Sequence, residues 1–347
     1  MKLHHLYARL YPWLPFVLGV GTLVLAVLLR RFPEFTENVY RNIFFSALRW
    51  VVDACLVWLP FPAFWLVFGL LFLFLLRGWI RRTLFLYRPW YRGIANAFGW
   101  LLIVFYFSWG FNYSAPGFVD KAKLEVDEQN TGFGTELLRV AITEAESARA
   151  LADTALFFDS NQPNHINDAI HVEVREVLST AGFKTPGNPK MRLVPGGVMR
   201  RMGISGIYFP FSGECHTDAS YLPLRRYPIV AHEYAHAYGV TDEGECNLIG
   251  FLALVRSRNA SFRYAAWLDV ILSFRVGMDE LPHALQRDID RLRADARNYP
   301  PIIPGMAEFA NNLYLKANGV DEGIESYSRT PILVNAAIQQ GWLNTEH

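Results

Sequence analysis

The chain is poor in cysteine and has no long segment dominated by charge of one sign. Its 347 residues include 3 cysteines, too few for a disulfide framework. The 33 basic and 32 acidic residues leave a net charge of +1, and beyond residue 113 the charges are dispersed. Dispersed charge argues against DNA or RNA as a partner, because surfaces that bind nucleic acids concentrate Lys and Arg. The sequence also lacks an internal repeat, a coiled coil and a phosphate-binding loop.

Apolar sequence is in excess near the N-terminus. The segments 10–29, 54–76 and 93–119 contain no charged residue. A helix needs about 20 mostly apolar residues to cross a bilayer. The sequence therefore predicts a membrane domain at 1–113 with three transmembrane helices, at about 10–29, 58–76 and 94–113. No small-residue cleavage site follows the first run, which disfavours a signal peptide.

Basic residues set the expected orientation of this membrane domain. The loop between the second and third runs contains no acid and five arginines, namely Arg77, Arg81, Arg82, Arg88 and Arg92. Cytoplasmic loops carry an excess of Lys and Arg, so this loop and the N-terminus are expected in the cytoplasm. A multi-pass membrane protein is predicted, with an extracytoplasmic domain at 114–347.

The segment His232-Glu233-Tyr234-Ala235-His236 is an H-E-x-x-H motif in a stretch that resembles a helix. Residues four apart lie one turn apart on one helix face, so both imidazoles can bind one ion. Two His ligands with an open coordination position are typical of catalytic zinc. The pattern predicts one Zn²⁺ per chain, with Glu233 as the general base. The alternative is a helix with two structural histidines, which the uncharged flanks disfavour.

The third zinc ligand is expected among three acids beyond the motif. Gly239 is suited to end the motif helix, so a second helix should begin near residue 242. Glu243 is favoured because Glu243 and Asn247 are four apart on that helix, which lets Asn247 hold a ligand from behind. Glu245 is the first alternative, although it lies about 200° around the helix from Glu243. Asp242 is the second, since it follows the Gly turn at a known spacing.

Several other residues are candidates near this site. His216, Tyr327 and Arg329 are candidates to stabilise an oxyanion, or they are ordinary packing residues. Cys215 and Cys246 lie on opposite sides of the motif. Outside the cytoplasm they could pair, or they remain independent thiols.

The domain at 114–347 is predicted to be mainly α with a small β element. Helices are expected at 135–156, 165–181, 223–239, 242–258, 261–275, 279–296, 302–317 and 321–340. Residues 203–211 are rich in β-branched and aromatic types and indicate an extended segment. This segment is either an edge strand that binds substrate by strand addition or a hairpin packed on the motif helix.

The apolar runs and several short segments of the chain together resemble a bacterial family of uncharacterised multi-span membrane proteins that are predicted to be zinc metallopeptidases. The resemblance depends on the three apolar runs and on residues 109–113, 208–214, 232–236, 243–247, 314–320 and 326–329. The position of Asp242 is commonly basic in that pattern, which weakens Asp242 as a ligand. Cys246 stands where a small residue is usual.

The sequence and the resemblance favour a membrane-anchored zinc metallopeptidase with a zincin-like domain. Its expected partners are the lipid bilayer and a peptide or protein substrate, which could be a membrane or cell-envelope protein. Two alternatives stay open. One is a membrane sensor or binding module with a structural or vestigial zinc site, and the other is a zinc hydrolase of a non-peptide envelope or lipid amide.

Overall fold

A computed structural model of the protein describes residues 11–56, 58–80, 90–127, 129, 132–159, 165–274 and 276–343. The chain forms two compact units. The first contains residues Met1–Pro116 and Phe209–Glu214, and the second contains Gly117–Tyr208 and Cys215–His347.

The first unit is helical. Its longer α-helices are α1 (Leu14–Leu29), α2 (Ser46–Leu56), α3 (Phe64–Ile80) and α4 (Trp90–Ser108), and a π-helix runs through Thr36–Phe45. Helices α1 and α4 approach closely at two glycines, since a Cβ at Gly19 would lie 2.6 Å from Gly99 Cα. Arg41 is buried and ion-paired to Glu37 at 2.8 Å, one turn earlier, and its Nε donates to Asn112 at 3.1 Å.

The expectation of three membrane spans is corrected to one candidate among the described residues. The segment Tyr11–Leu29 is long and apolar enough, with 19 residues and a mean hydropathy of 2.1. Helix α3 has only 17 residues, and the first turns of α4 contain Arg92 and Asn96, which lower its hydropathy. The single N-terminal helix could be a membrane span or a signal sequence.

The second unit is also mainly helical, which confirms the prediction of a mainly α domain. Its longer helices are α5 (Gly134–Leu151), α6 (His165–Thr180), α7 (Pro223–Ala237), α8 (Glu243–Val255), α9 (Ala260–Ser273), α10 (His283–Arg297), α11 (Met306–Ala317) and α12 (Thr330–Gln339). Helix α8 is the centre of the core, because 11 of its 13 residues are buried. A residue inserted into this helix would therefore disturb every neighbouring element.

The predicted small β element is a three-stranded sheet. Its strands are β1 (Met191–Val194), β2 (Gly206–Phe209) and β3 (Glu214–Asp218), in the order β1-β3-β2. Strands β1 and β3 are parallel, with Met191 opposite Cys215. Every residue of β3 is buried, as expected of a central strand. Strand β2 therefore lies at an edge of the sheet, within the segment expected to be extended.

Candidate metal centre

Helix α7 brings the two motif histidines together. Pro223 starts this helix at its first turn, where a missing backbone N–H costs nothing. His232 and His236 follow one turn apart, and their Nε2 atoms are 3.0 Å from each other. Two ring nitrogens at this distance can share a ligand when neither carries a hydrogen.

Glu243 supplies a third donor from the next helix. Gly239 has φ of +88°, a left-handed conformation that reverses the chain after α7. Asp242 then caps α8 by accepting the Glu245 N–H at 2.8 Å. Glu243 is the first residue of α8, and its Oε2 lies 3.1 Å from His232 Nε2 and 3.3 Å from His236 Nε2.

These three atoms fit a zinc ion. Zinc binds His nitrogen and carboxylate oxygen at about 2.0–2.2 Å, so two ligands at tetrahedral angles are about 3.3–3.6 Å apart. The observed separations of 3.0, 3.1 and 3.3 Å are close to that range. A site with three protein ligands leaves the fourth position open, which is the arrangement of catalytic zinc.

The other ring nitrogen of each histidine faces an acceptor. His232 Nδ1 is 2.7 Å from Asn247 Oδ1, and His236 Nδ1 is 2.9 Å from the Val240 carbonyl. The Val240 carbonyl can only accept, so His236 Nδ1 carries the hydrogen, and the same tautomer suits His232 beside the amide oxygen. Asn247 is held in turn by its Nδ2, which donates to Thr330 Oγ1 at 3.0 Å. Both Nε2 lone pairs are thereby directed at the metal position.

Glu233 lies next to these donors and is almost fully buried. Its Oε2 has no hydrogen-bond partner among the described residues, whereas the Tyr208 N–H of strand β2 donates to the carboxylate. Burial raises the pKa of Glu233, although the two motif histidines act in the opposite direction. A carboxylate with a free, buried oxygen beside a metal position can accept and return a proton.

Comparison with known proteins adds a family but no activity. Residues 40–334 match the profile of a family described as Protein of unknown function (DUF3810). The chain belongs to this DUF3810 family. No curated protein and no solved structure matches the chain. The resemblance to an uncharacterised family is confirmed, and a metallopeptidase character of DUF3810 stays a prediction.

The two alternative acids of this DUF3810 member are engaged away from the three donors. Glu245 accepts the N–H groups of Phe118 and Val119 at 2.6 and 3.0 Å, and burial raises its pKa to about 7. Asp242 caps α8, and its Oδ2 is 3.7 Å from Arg329 Nη1. The geometry thus brings Glu243, and not Glu245 or Asp242, to the motif histidines.

Cys246 offers a second combination of metal ligands. His232, His236 and Cys246 each place a ligand atom within 4.8 Å of the others. The thiol, however, lies 3.3 Å from His236 Nδ1, which is already bonded to a carbonyl, and burial raises its pKa to about 12. A protonated thiol on the far edge of the ring is a poorer ligand than Glu243. Cys215 and Cys246 do not form a disulfide with each other, and Cys55 does not form one either.

Of the remaining candidates, Tyr327 lies beside His232. Its ring is nearly parallel to that of His232, with centroids 6.4 Å apart, and Asn311 donates to its hydroxyl at 3.2 Å. Partial burial and the nearby Glu243 carboxylate raise the pKa of the Tyr327 phenol. Arg329 faces Asp242, and His216 is buried in β3 opposite Arg192.

One residue close to the site carries no sequence signal of its own. A Cβ at Gly206 would lie 2.4 Å from Glu233 Oε1 and 2.8 Å from its Cγ. Only glycine therefore lets strand β2 approach the motif helix this closely. The contact joins residues 27 positions apart, so no local pattern could have indicated it.

Proposed function

We propose that the protein is a zinc-dependent peptidase. The observation that supports this most strongly is the convergence of His232, His236 and Glu243 within 3.0–3.3 Å of one another beside buried Glu233. Two imidazoles, one carboxylate and an adjacent base are the set that metal-assisted hydrolysis requires.

The proposed chemistry is hydrolysis of an amide. Zinc bound by the three donors would polarise the scissile carbonyl and lower the pKa of a bound water to about 7. Glu233 takes a proton from the attacking water as the new C–O bond forms. It then gives that proton to the leaving nitrogen as the C–N bond breaks. The Tyr327 phenol, whose O–H hydrogen-bonds to the Glu243 carboxylate, would donate to the developing oxyanion once zinc holds that carboxylate.

Strand β2 favours an extended peptide over a lipid or polymer amide as substrate. It lies at an edge of the sheet, and the backbone of its residues 206–208 contacts Glu233. A sheet edge binds an extended main chain through backbone hydrogen bonds. A peptide aligned along β2 would bring one of its amides next to the proposed base.

The variant Glu233→Gln tests this proposal. We expect the purified full chain to keep one zinc per molecule, since Glu233 is not among the three donors. Hydrolysis of a mixed peptide library should fall by about 10²–10⁴-fold, the usual contribution of a general base. Glu176→Gln, an exposed substitution on α6, is the matched control and should retain full activity.

Two results would contradict the proposal. Unchanged hydrolysis by Glu233→Gln would exclude Glu233 as the base. Stoichiometric zinc in the unaltered protein without any turnover would instead favour a binding or sensor module.

We also propose that Tyr11–Leu29 anchors the chain in the bacterial inner membrane, with the zinc site on the outer side. Lys2 and Arg9 precede this helix without an acid, which favours a cytoplasmic N-terminus. Protease added to intact spheroplasts that express the full chain should then degrade the region beyond residue 113. Protection until the cells are lysed would place the site in the cytoplasm.

A further inference from the structure

A cavity of about 100 Å³ lies in the second unit, among α7, α8, α9 and the segment 327–330. Asn247 and Tyr327 line it, and both contact His232, through the 2.7 Å bond to Nδ1 and the parallel rings. Pro228, also in its wall, precedes His232 by one turn of α7. The cavity therefore borders the candidate metal centre on the His232 side.

Most of the polar groups that line this cavity already have partners. Asn247 Nδ2 donates to Thr330 Oγ1 at 3.0 Å, and Asp269 Oδ1 is paired with Arg225 at 2.6 Å. The Ser273 hydroxyl donates to a backbone carbonyl of its own helix at 2.6 Å. Because these groups are occupied, a charged or strongly polar guest would lose its hydration without gaining equivalent bonds.

The remaining wall is apolar, and its size selects among apolar guests. Phe251, Leu254, Ala266 and Val270 contribute this surface, and each is buried. A dry apolar cavity of about 150 Å³ accommodates benzene, with six carbons. By proportion, about 100 Å³ suits about four carbons, which is the side chain of leucine or isoleucine.

We infer that this cavity is the specificity pocket of the proposed peptidase, and that it binds a leucine- or isoleucine-sized side chain next to the scissile bond. The inference rests on the proposed function, because a pocket beside His232 selects a substrate only if a bond is cut there. It predicts a preference for medium aliphatic residues over small, acidic or aromatic ones.

The hydroxamates of glycine, leucine, phenylalanine and aspartate are suitable probes, since a hydroxamate binds zinc and carries one side chain. Their affinities are measured by calorimetry on the zinc-loaded full chain. We expect leucine hydroxamate to bind at least about ten-fold more tightly than the glycine compound, within the range that a hydrophobic pocket provides.

Val270→Phe should remove this advantage, and Val270→Ala should shift the preference towards phenylalanine. Val172→Phe and Val172→Ala, on the exposed face of α6, are matched controls.

The outcomes separate the pocket from the metal centre. Opposite shifts in the preferred side chain for the two Val270 variants support the pocket, because a purely structural defect would weaken all four compounds alike. Hydroxamate binding without a side-chain preference, or an equal loss for all four, overturns the pocket while the zinc site stands. A chain that binds neither zinc nor any hydroxamate overturns the proposed function and the pocket together.

Discussion

At the scale of single residues, the site depends on a glycine as much as on its ligands. Gly206→Ala places a methyl group 2.4 Å from Glu233 Oε1. This separation is too short for a non-bonded contact, so the carboxylate must move. Zinc content should be unchanged, since Glu233 is not a donor, whereas hydrolysis should fall by about 10²-fold, as for a 1 Å misplacement. Zinc analysis and peptide hydrolysis on the same preparation measure the two effects separately.

Gly134→Ala is the control for that substitution. A Cβ at Gly134 would meet its nearest neighbour at 3.6 Å, an ordinary contact, so activity should be retained. Full activity in Gly206→Ala would show that Glu233 tolerates displacement, and would argue against its role as the base.

Single residues of the site can be predicted from the sequence where a local spacing marks them. The motif residues are recognisable because their spacing is that of one helical turn, and the Glu243–Asn247 spacing repeats it. Gly206 and Tyr208 act on Glu233 through a contact between a strand and a helix. Their identity depends on the tertiary structure, and only the extended character of 203–211 was predictable.

At the scale of elements, Glu245 connects the start of α8 to the segment that contains Phe118 and Val119. Its carboxylate accepts two backbone N–H groups, from Phe118 and Val119, at 2.6 and 3.0 Å. Glu245→Ala leaves both donors without an acceptor. We expect a loss of about 2–6 kcal/mol in the free energy of unfolding, at about 1–3 kcal/mol for each of the two donors. Denaturant unfolding measures this value.

Glu176→Ala, an exposed Glu→Ala change on a helix, should cost less than about 0.5 kcal/mol in the same assay. If Glu245→Ala unfolds at the same denaturant concentration as this control, the two N–H groups have other acceptors, and Glu245 is free to act elsewhere.

Element boundaries follow local chemistry where that chemistry is strong. Gly239 is predicted to end one helix, with the next beginning near residue 242, and the structure places the cap of α8 at Asp242. The helix expected at 321–340 is instead a 3-10 segment, Gly323–Arg329, followed by α12. Pro331 fits this boundary, because proline is favoured in the first turn of a helix, where its missing N–H costs nothing. The three predicted spans failed for a different reason, since an uncharged run does not determine where its helix starts and ends.

At the scale of the whole molecule, the proposed zinc would connect α7 to α8, the most buried helix of the second unit. A ligand that binds only the folded state stabilises it by RT ln(1 + [L]/Kd), about 2.7 kcal/mol at 100 times Kd. Removing zinc with a chelator should therefore lower the unfolding midpoint of the second unit, by several degrees for a unit of this size. Calorimetry of the full chain, with and without chelator, measures the shift.

His236→Ala removes one donor, so its unfolding midpoint should be lower than that of the unaltered protein and should not change when chelator is added. An equal chelator-induced shift of the midpoint in His236→Ala would mean that the metal binds elsewhere in the protein. A metal held by His236 cannot stabilise a chain that lacks this imidazole to the same extent.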